Sequence, residues 1–362
     1  MDLKTYTLEE LKPYLYTLYS QPESLVPLSP LRLQSYLKNP RAKLSDPVLF
    51  EMRQKGEVIA YRTLLPDCFF DSEDHPQRFA WLSGNWVRPD MRRKGISTQL
   101  LETAEEKWQG RLMYTNYAPE SKALYDHTGR FKVIANREGL RFYLRSATEE
   151  LLSDRLGSRP VLRSTDQLIN RFRERRIEKY RFPIECPCEV NPINDFIAQL
   201  SELVKRLQQD TLFRRGREIF EWALEYPWVT EQACDPLNYH FSYRVNRFEN
   251  LLFQFTHPDG EIRGVLWIII HNNVLSAPYL FARDKTLHSC MAETIVRTMI
   301  KHGCTHTTIR NPDLLEKLMV HKKIFLKLKK MPQLIFAHQE LAYLLPEKRV
   351  IHDGDGDVMF TG

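Results

Sequence analysis

The feature that most constrains the fold is a change of hydrophobic period near residue 95. Residues 79–87, FAWLSGNWV, are rich in aromatic and β-branched side chains, as a β-strand is. From Ile96 the apolar residues recur at i, i+4, i+5, i+8 and i+12, which places them on one face of a helix. A loop with three consecutive cations, Arg92, Arg93 and Lys94, and then Gly95 separates the two. This order of strand, basic loop and helix predicts an α/β domain.

The basic loop has the composition of an anion site. The first turn of a helix carries unpaired N–H groups and a partial positive charge, which together suit a phosphate group. Gly95 lets the backbone approach the anion without a Cβ in the way, and arginine can bind two phosphate oxygens at once. The spacing excludes a Walker loop, and a dinucleotide fingerprint needs three glycines where this loop has one. We therefore expect a pyrophosphate site here.

The chain has the length of two domains. At 362 residues it exceeds what one hydrophobic core usually organises. We expect helices over residues 8–20 and 31–37, strands over 48–52, 57–65 and 111–116, a short helix over 121–126, and a closing hairpin over 131–145. These define a first domain at 1–150, a linker with one charged, bridging helix at 151–190, and a second domain at 191–362.

The second half partly repeats the first. VLFEMRQKGEVIAYR can be laid over LLFQFTHPDGEIRGV, and YTNYAPESKALY over TIRNPDLLEKLM. The similarity is weak, and the sequence leaves open whether it marks an internal repeat.

The composition bounds the compartment and the partners. A net charge of +6, from 52 cations against 46 anions, is too small to indicate a nucleic-acid partner, whereas a small anionic ligand suffices. No stretch approaches the roughly 18 apolar residues of a spanning helix, and the amino terminus lacks a signal pattern. We expect a cytoplasmic protein without a membrane partner. The six cysteines are scattered, so we expect reduced thiols.

Two motifs resemble the GNAT superfamily of N-acetyltransferases. Arg92 to Ser97 reads Arg-x-x-Gly-x-Ser, close to the coenzyme A loop pattern Arg/Gln-x-x-Gly-x-Gly/Ala, from which Ser97 departs. Downstream, TNYAPESKALYDHTGRF resembles the second block of the family, with Asn116, Tyr125 and Gly129 in the right order. The resemblance covers the first domain well and the second in outline. It implies an α/β fold with mixed sheets and two acyl-CoA N-acyltransferase-like domains, the second degenerate.

The resemblance also implies a reaction and its residues. It implies an N-acetyltransferase that moves an acetyl group from acetyl-CoA to a primary amine without a metal. Tyr125 corresponds to the tyrosine that protonates the leaving thiolate, although it is also readable as a packed aromatic on a helix. The positions expected to bind coenzyme A are Asn85, Trp86, Val87, Arg92, Arg93, Lys94, Gly95, Ile96, Ser97, Thr98, Asn116 and Ser121.

The general base is not identified by the sequence. Many family members carry a glutamate on the strand before the loop, but here that strand has Ser83 and Asn85 and no carboxylate. A water chain remains open, as does a residue of the preceding turn. The candidates in that turn are Asp67, Asp71, Glu73, Asp74 and His75.

Two other functions stay open. The absent glutamate motivates a non-catalytic protein that binds or senses acyl-CoA. The tandem arrangement resembles the aminoacyl transferases that build peptidoglycan bridges, although those predict a broad basic groove. The acceptor is expected to be an amine on a small molecule or a protein. The oligomeric state is open, and a monomer is compatible with two related domains.

Several other signals favour structural explanations. Asp353, Asp355 and Asp357 have calcium-loop spacing, but Val358 stands where a glycine is required. The CPC and HGCTH stretches are too closely spaced for structural zinc, and NRFRERRIEKYR and HKKIFLKLKK fit solvated faces. The second-half segment LFARDKTLHSCMAE has no glycine, which disfavours a second pyrophosphate site. Trp222, Tyr226 and Trp228 belong either to the acceptor wall or to the core.

Overall fold

The structure is a computed structural model of the 362-residue chain. It describes all residues except 22, 116–118, 150–158, 184–185, 197, 233–236, 242 and 348. The side chains of residues 119–122 and 198 are also not described.

From Leu8 to the short helix before Gly129, the first half forms strands and helices where the local signals predict them, whereas the strand Asp2–Thr7 was not predicted. Thr7 and Glu10 form a capping box at the first helix, and Ser29 caps the second helix ahead of Pro30. Lys55 and Gly56 both have positive φ, the conformation of a two-residue hairpin turn. The elements are β1 Asp2–Thr7, α1 Leu8–Tyr19, α2 Pro30–Leu37, β2 Pro47–Gln54, β3 Glu57–Phe70, β4 Pro76–Val87, α3 Ile96–Lys107, β5 Leu112–Thr115, α4 Pro119–Thr128, β6 Phe131–Arg137 and β7 Leu140–Tyr143.

A long helix precedes the second half. The predicted charged helix of the linker is present as α5. The further elements are α5 Arg159–Glu178, β8 Glu189–Ile193, α6 Ala198–Leu207, α7 Arg217–Glu225, β9 Phe248–Thr256, β10 Ile262–His271, β11 Val274–Ala282, α8 Leu287–Lys301, β12 His306–Ile309, α9 Pro312–Val320, β13 Lys327–Lys330, β14 Gln333–His338, α10 Gln339–Ala342 and α11 Val358–Thr361.

Two mixed sheets of seven strands organise the chain. The first has the order β1-β2-β3-β4-β5-β14-β6, and the second has the order β8-β9-β10-β11-β12-β7-β13. The two orders correspond strand by strand, including a parallel fourth and fifth strand in each sheet. The repeat that the sequence leaves open is therefore present in the topology. The predicted α/β class with two related domains is confirmed.

The two halves exchange a strand. β14 lies between β5 and β6 of the first sheet, and β7 lies between β12 and β13 of the second. The predicted hairpin over residues 131–145 is wrong, because β6 and β7 pair in different sheets. The chain crosses over at Gly139, whose carbonyl accepts a hydrogen bond from the Met331 amide. A Cβ at Gly139 would lie 2.5 Å from the Met331 carbonyl oxygen, so this close approach favours glycine.

One core cluster spans both halves. It joins the inner faces of the first sheet and α1 to α6, α7 and the central strands of the second sheet. Trp222 and Trp228 are buried in this cluster, and the Trp222 indole N–H donates to the Ser35 carbonyl. Burial of this apolar surface stabilises both halves as one unit.

The cysteine prediction is wrong at one pair. Cys186 and Cys290 form a disulfide with their Cα atoms 5.1 Å apart. Cys68, Cys188 and Cys304 are free and buried. The CPC stretch thus contributes a disulfide half and a packed thiol.

The carboxyl-terminal tail joins the two halves through its aspartates. Asp353 forms an ion pair with Arg137 at 2.6 Å. Asp355 is buried and lies 3.1 Å from Arg215. Arg215 also forms a bidentate ion pair with Asp67 of β3. These carboxylates are therefore neutralised by arginines from both halves, which explains their spacing without a calcium ion.

Candidate coenzyme and acceptor site

The first sheet opens between its parallel strands. β4 and β5 are paired only where Ala80 and Trp81 face Leu112 and Met113. Beyond Leu82, β4 continues from Ser83 to Val87, and no described residue of β5 pairs with this segment. The strands therefore diverge into a V-shaped gap, which we call the β4–β5 gap. It exposes backbone groups that can pair with an extended ligand.

A β-bulge lies at the inner end of this gap. Thr63 of β3 faces Gly84, but the next residue, Leu64, faces Leu82, so Ser83 is the extra residue of β4. A bulge re-aims the side chains around it and is common next to functional sites. Here it turns Ser83 toward the face of the sheet opposite α3, where Arg32 contacts it.

The basic loop forms the outer end of the gap. Arg93 and Gly95 have left-handed φ of 62° and 76°, and Gly95 precedes the first turn of α3 without a side-chain cap. Arg92, Arg93 and Lys94 are exposed. An added Cβ at Gly95 would meet nothing within 4 Å, so the loop backbone faces open space. The amides of the first turn of α3 are thus free to bind an anion.

At the corresponding helix of the second half, α8, a side chain of the preceding loop takes the place of a bound anion. Asp284 stands three residues before the start of α8, as Arg93 does before α3. Its carboxylate accepts hydrogen bonds from the Thr286 amide, at 3.0 Å, and from the Thr286 hydroxyl. These hydrogen bonds lower the pKa of Asp284. A carboxylate therefore occupies the place that a phosphate takes in an anion site.

The face of the gap toward α3 carries the first polar contact for a ligand. The Asn85 amide nitrogen lies 3.4 Å from the Ser97 hydroxyl, which joins β4 to the first turn of α3. The Asn85 amide oxygen is buried and has no hydrogen-bond partner among the described residues. An unpaired buried acceptor is costly, so it marks a place where a ligand donor fits. Trp86 lies on the opposite face, stacked on Tyr61 with centroids 5.8 Å apart.

Tyr125 lies deep in the wall formed by α4. It is 3% exposed and stacks on Tyr114 with ring centroids 4.0 Å apart. Its hydroxyl accepts a hydrogen bond from the guanidinium of Arg62 at 2.9 Å. Arg62 is fully buried, and two of its nitrogens lack a partner among the described residues. The predicted acid is thus both a packed aromatic and the hydrogen-bond acceptor of a buried cation.

The opposite face of the gap carries a polar cluster. The buried Arg32 donates to the Ser83 hydroxyl at 2.8 Å and to the Thr63 hydroxyl at 3.1 Å. Ser83 in turn donates to Asp357 at 2.9 Å. The Trp228 ring lies against the Arg32 guanidinium at 4.2 Å, so this tryptophan belongs both to the core and to the wall of the site.

Residues 237–241 of the second half cover this cluster. Phe241 would be 3.6 Å from a Cβ at Gly84, and the His240 ring is 6.0 Å from the Trp86 ring. Burial and the nearby charge of Arg92 lower the pKa of His240. His240 therefore lies near both Trp86 of β4 and Arg92 of the basic loop.

Two predicted site residues lie outside the described parts of the structure. Asn116 is one, and the side chain of Ser121 is the other. Asn85, Trp86, Val87 and the loop over residues 92–98 lie together around the gap. Tyr226 packs against the core cluster, and its hydroxyl donates to Glu225.

The proposed base candidates of the turn lie elsewhere. Asp67 is paired with Arg215, and Asp71, Glu73, Asp74 and His75 surround the far turn of the β3–β4 hairpin. That turn is seven residues, or roughly 23 Å, along β3 from Thr63. Sequence reasoning missed Asp357, Arg32 and Arg62. A lone arginine in the buried strand EVIAYRTLLPDCFF was a signal for Arg62.

Within the described ranges, no His, Cys, Asp and Glu group is arranged to hold a metal ion. Of the helices that the structure describes, none combines the length and the apolar character needed to cross a bilayer.

Comparisons with known proteins agree with the geometry. The Acetyltransferase (GNAT) family model matches residues 11–129. A search of curated proteins gives no match. Saccharomyces cerevisiae N-myristoyltransferase with bound myristoyl-CoA is similar in structure at 12% identity and a TM-score of 0.53, covering 93% of this chain and 82% of that chain. A probable N-acyltransferase from Enterococcus faecalis V583 is similar at 11% identity and a TM-score of 0.53, covering 95% and 74%.

The family match supports transfer of an acyl group from an acyl-CoA to an amine as the class of reaction. At such identities the structural neighbours show the fold alone. Residues 11–129 therefore match the GNAT acetyltransferase family model, within a chain built from two GNAT-like domains.

Proposed function

We propose that this protein is an N-acetyltransferase that transfers an acetyl group from acetyl-CoA to a primary amine. The observation that carries the proposal is the uncapped, basic start of α3 at the mouth of the β4–β5 gap. A ligand with a diphosphate and an extended arm with amide groups fits both features. The diphosphate would meet the amides after Arg92, and the arm would run along β4 beyond Leu82.

The residues present fit coenzyme A. Arg92, Arg93 and Lys94 add positive charge outside the helix terminus, which suits the phosphates. The unpaired oxygen of Asn85 offers an acceptor for an amide N–H of the arm. Asp284 blocks the equivalent position in the second half, so we place one coenzyme in the first half only.

Acetyl-CoA supplies an activated thioester, and the chain supplies orientation and proton transfer. The Tyr125 hydroxyl is a donor suited to protonating the departing thiolate. Arg62 donates a hydrogen bond to the oxygen of that hydroxyl, so in this contact the tyrosine acts as an acceptor and keeps its own proton.

Close packing at the inner end of the gap favours a short acyl group. A Cβ at Gly84 would lie 2.5 Å from the Thr63 hydroxyl and 3.6 Å from the Phe241 ring. Tyr61 beside them is fully buried. The yeast neighbour binds myristoyl-CoA, whereas this packing supports acetyl transfer. A series of acyl-CoAs from two to fourteen carbons is expected to show the highest turnover at two carbons.

The proposal is tested with coenzyme A and a panel of primary amines. We expect heat of binding with coenzyme A in calorimetry and amine-dependent thiol release from acetyl-CoA. Tyr125→Phe should lower thiol release about 10²-fold or more with coenzyme A affinity unchanged. Tyr114→Phe, in the same aromatic stack, is the matched control and should change turnover little. Binding without turnover on a wide panel would favour a sensor, and no heat at all would refute the proposal.

A further inference from the structure

The face of the gap opposite α3, which we call the acceptor side, contains a carboxylate that comes from the far end of the chain. Asp357 accepts a hydrogen bond from Ser83 at 2.9 Å, across 274 positions of sequence. Ser83 is the extra residue of the β4 bulge, at the inner end of the β4–β5 gap. The carboxylate that β4 itself lacks is therefore present beside β4.

Asp357 differs from the other two aspartates of the tail. Asp353 and Asp355 are ion-paired with arginines. Among the described residues, no Lys, Arg or His side chain lies within ion-pair distance of Asp357. It is only partly buried, so solvent and an acceptor molecule can reach it. Among the described residues, its carboxylate accepts a hydrogen bond from the hydroxyl of Ser83, which leaves acceptor capacity on both oxygens.

The tail holds this carboxylate in a fixed place. Two residues before it, Asp355 is bound by Arg215 and Tyr279. Three residues after it, the Phe360 ring stacks on Trp228 with centroids 4.8 Å apart. The Trp228 amide also donates to the Phe360 carbonyl at 3.1 Å. Because the residues before and after Asp357 are anchored, its carboxylate is pre-organised in one position beside β4.

A second observation points to a polar ligand in the same space. The Tyr61 hydroxyl is buried and has no hydrogen-bond partner among the described residues, and the same holds for Arg32 Nε. Both residues lie at the face of β3 and β4 that carries Ser83. Since buried polar groups are normally paired, these atoms mark a place for polar atoms that the chain itself does not provide.

We propose that Asp357 is the general base of the reaction, which rests on the proposed N-acetyl transfer. The amine nitrogen attacks the thioester carbon, the N–C bond forms, and the C–S bond breaks. The proton that leaves the nitrogen goes to Asp357, and the proton of Tyr125 goes to the sulfur. The products are the amide and the coenzyme A thiol, so atoms and charge balance. Ser83 is a positioning residue that orients the carboxylate.

Other ionisable groups around Asp357 define the background for a pH test. Arg32 is one hydrogen bond away through Ser83. Burial raises the pKa of Tyr36, which also lies near Asp357, and burial raises the pKa of Tyr61. Tyr239 of the covering segment interacts with Arg32. These shifts keep Tyr36 and Tyr61 protonated and Arg32 charged at neutral pH.

The test compares Asp357→Asn with Asp353→Asn, a tail aspartate remote from β4. With the best amine of the panel, we expect Asp357→Asn to lower kcat roughly 10²- to 10⁴-fold. We also expect it to abolish the acid limb of the pH profile and to leave coenzyme A affinity unchanged. Asp353→Asn should keep the wild-type pH profile. Ser83→Ala, which removes only the orienting hydroxyl, should lower kcat about tenfold and keep the acid limb.

The outcomes separate the two proposals. An Asp357→Asn variant with wild-type kcat and pH profile would overturn the base assignment while N-acetyl transfer stands. Wild-type protein that turns over no amine would instead refute the proposed function. If Asp357→Asn lowers the melting temperature, Asp357→Glu decides, since it keeps the carboxylate. Partial activity with a retained acid limb supports the base, and loss equal to that of the asparagine variant overturns it.

Discussion

Arg93→Asp should convert the coenzyme loop of the first half into the closed form of the second. Arg93 and Asp284 each stand three residues before the start of their helix, α3 or α8. Arg93 already has a φ of 62°, a conformation in which aspartate is among the best-tolerated residues. The substitution therefore adds no backbone strain. It changes the local charge by two units and introduces a carboxylate that can cap α3 as Asp284 caps α8.

The magnitude follows from Coulomb's law. For a diphosphate of charge about −2 at roughly 7 Å in water, a change of two charge units is worth about 2 kcal/mol. Screening at physiological salt lowers this to about 1 kcal/mol. Competition by the new carboxylate for the first-turn amides adds about 1 kcal/mol. The sum of about 2 kcal/mol corresponds to a roughly 30-fold weaker Kd for coenzyme A. Arg93→Ala, which changes one charge unit, should weaken binding only about twofold to threefold.

Isothermal calorimetry with coenzyme A at low and high salt measures this effect. Arg111→Asp is the matched control, because Arg111 is exposed, follows α3 at its other end and gives the same change of net charge. We expect the Arg93→Asp defect to shrink with salt toward the capping contribution, and Arg111→Asp to bind nearly as the wild type does. Equal weakening in the two variants would show that net charge alone acts. Wild-type affinity in Arg93→Asp would refute the loop assignment.

Two predictions concern folding. A fragment of residues 1–150 should lack cooperative unfolding by circular dichroism, because β14 is missing between β5 and β6, and the full chain is the control; a sharp transition in the fragment would contradict the exchange. Burial lowers the pKa of His352 to about 4 from the ordinary 6.5, so the unfolded state binds more protons and the free energy of unfolding falls as pH drops from about 6.5 to 4. The loss of unfolding free energy should reach about 3 kcal/mol in the wild type. It should be smaller in His352→Phe but unchanged in the exposed control His75→Phe. Identical plots of unfolding free energy against pH for all three proteins would refute this.

The sequence by itself determined the local chemistry of the coenzyme side. The period change at Ile96, the basic run at Arg92 and the left-handed Gly95 depend on neighbours within a few residues, so their structure can be predicted from the pattern. The same holds for the Lys55-Gly56 turn and for the tyrosine on α4. Short-range hydrogen bonds and side-chain periodicity decide such features.

Only the tertiary structure decided the strand exchange and the acceptor side. β6 and β7 are joined by Glu138 and Gly139, a connection short enough for a hairpin, and nothing local shows that the partners are β14 and β12. Strand pairing depends on backbone groups that every residue carries, so a pattern of apolar residues does not specify its partner. For the same reason the spacing of the tail aspartates resembles an ion-binding loop in the sequence. Their actual partners, Arg137, Arg215 and Ser83, lie far away in the chain, and only the fold places them beside the tail.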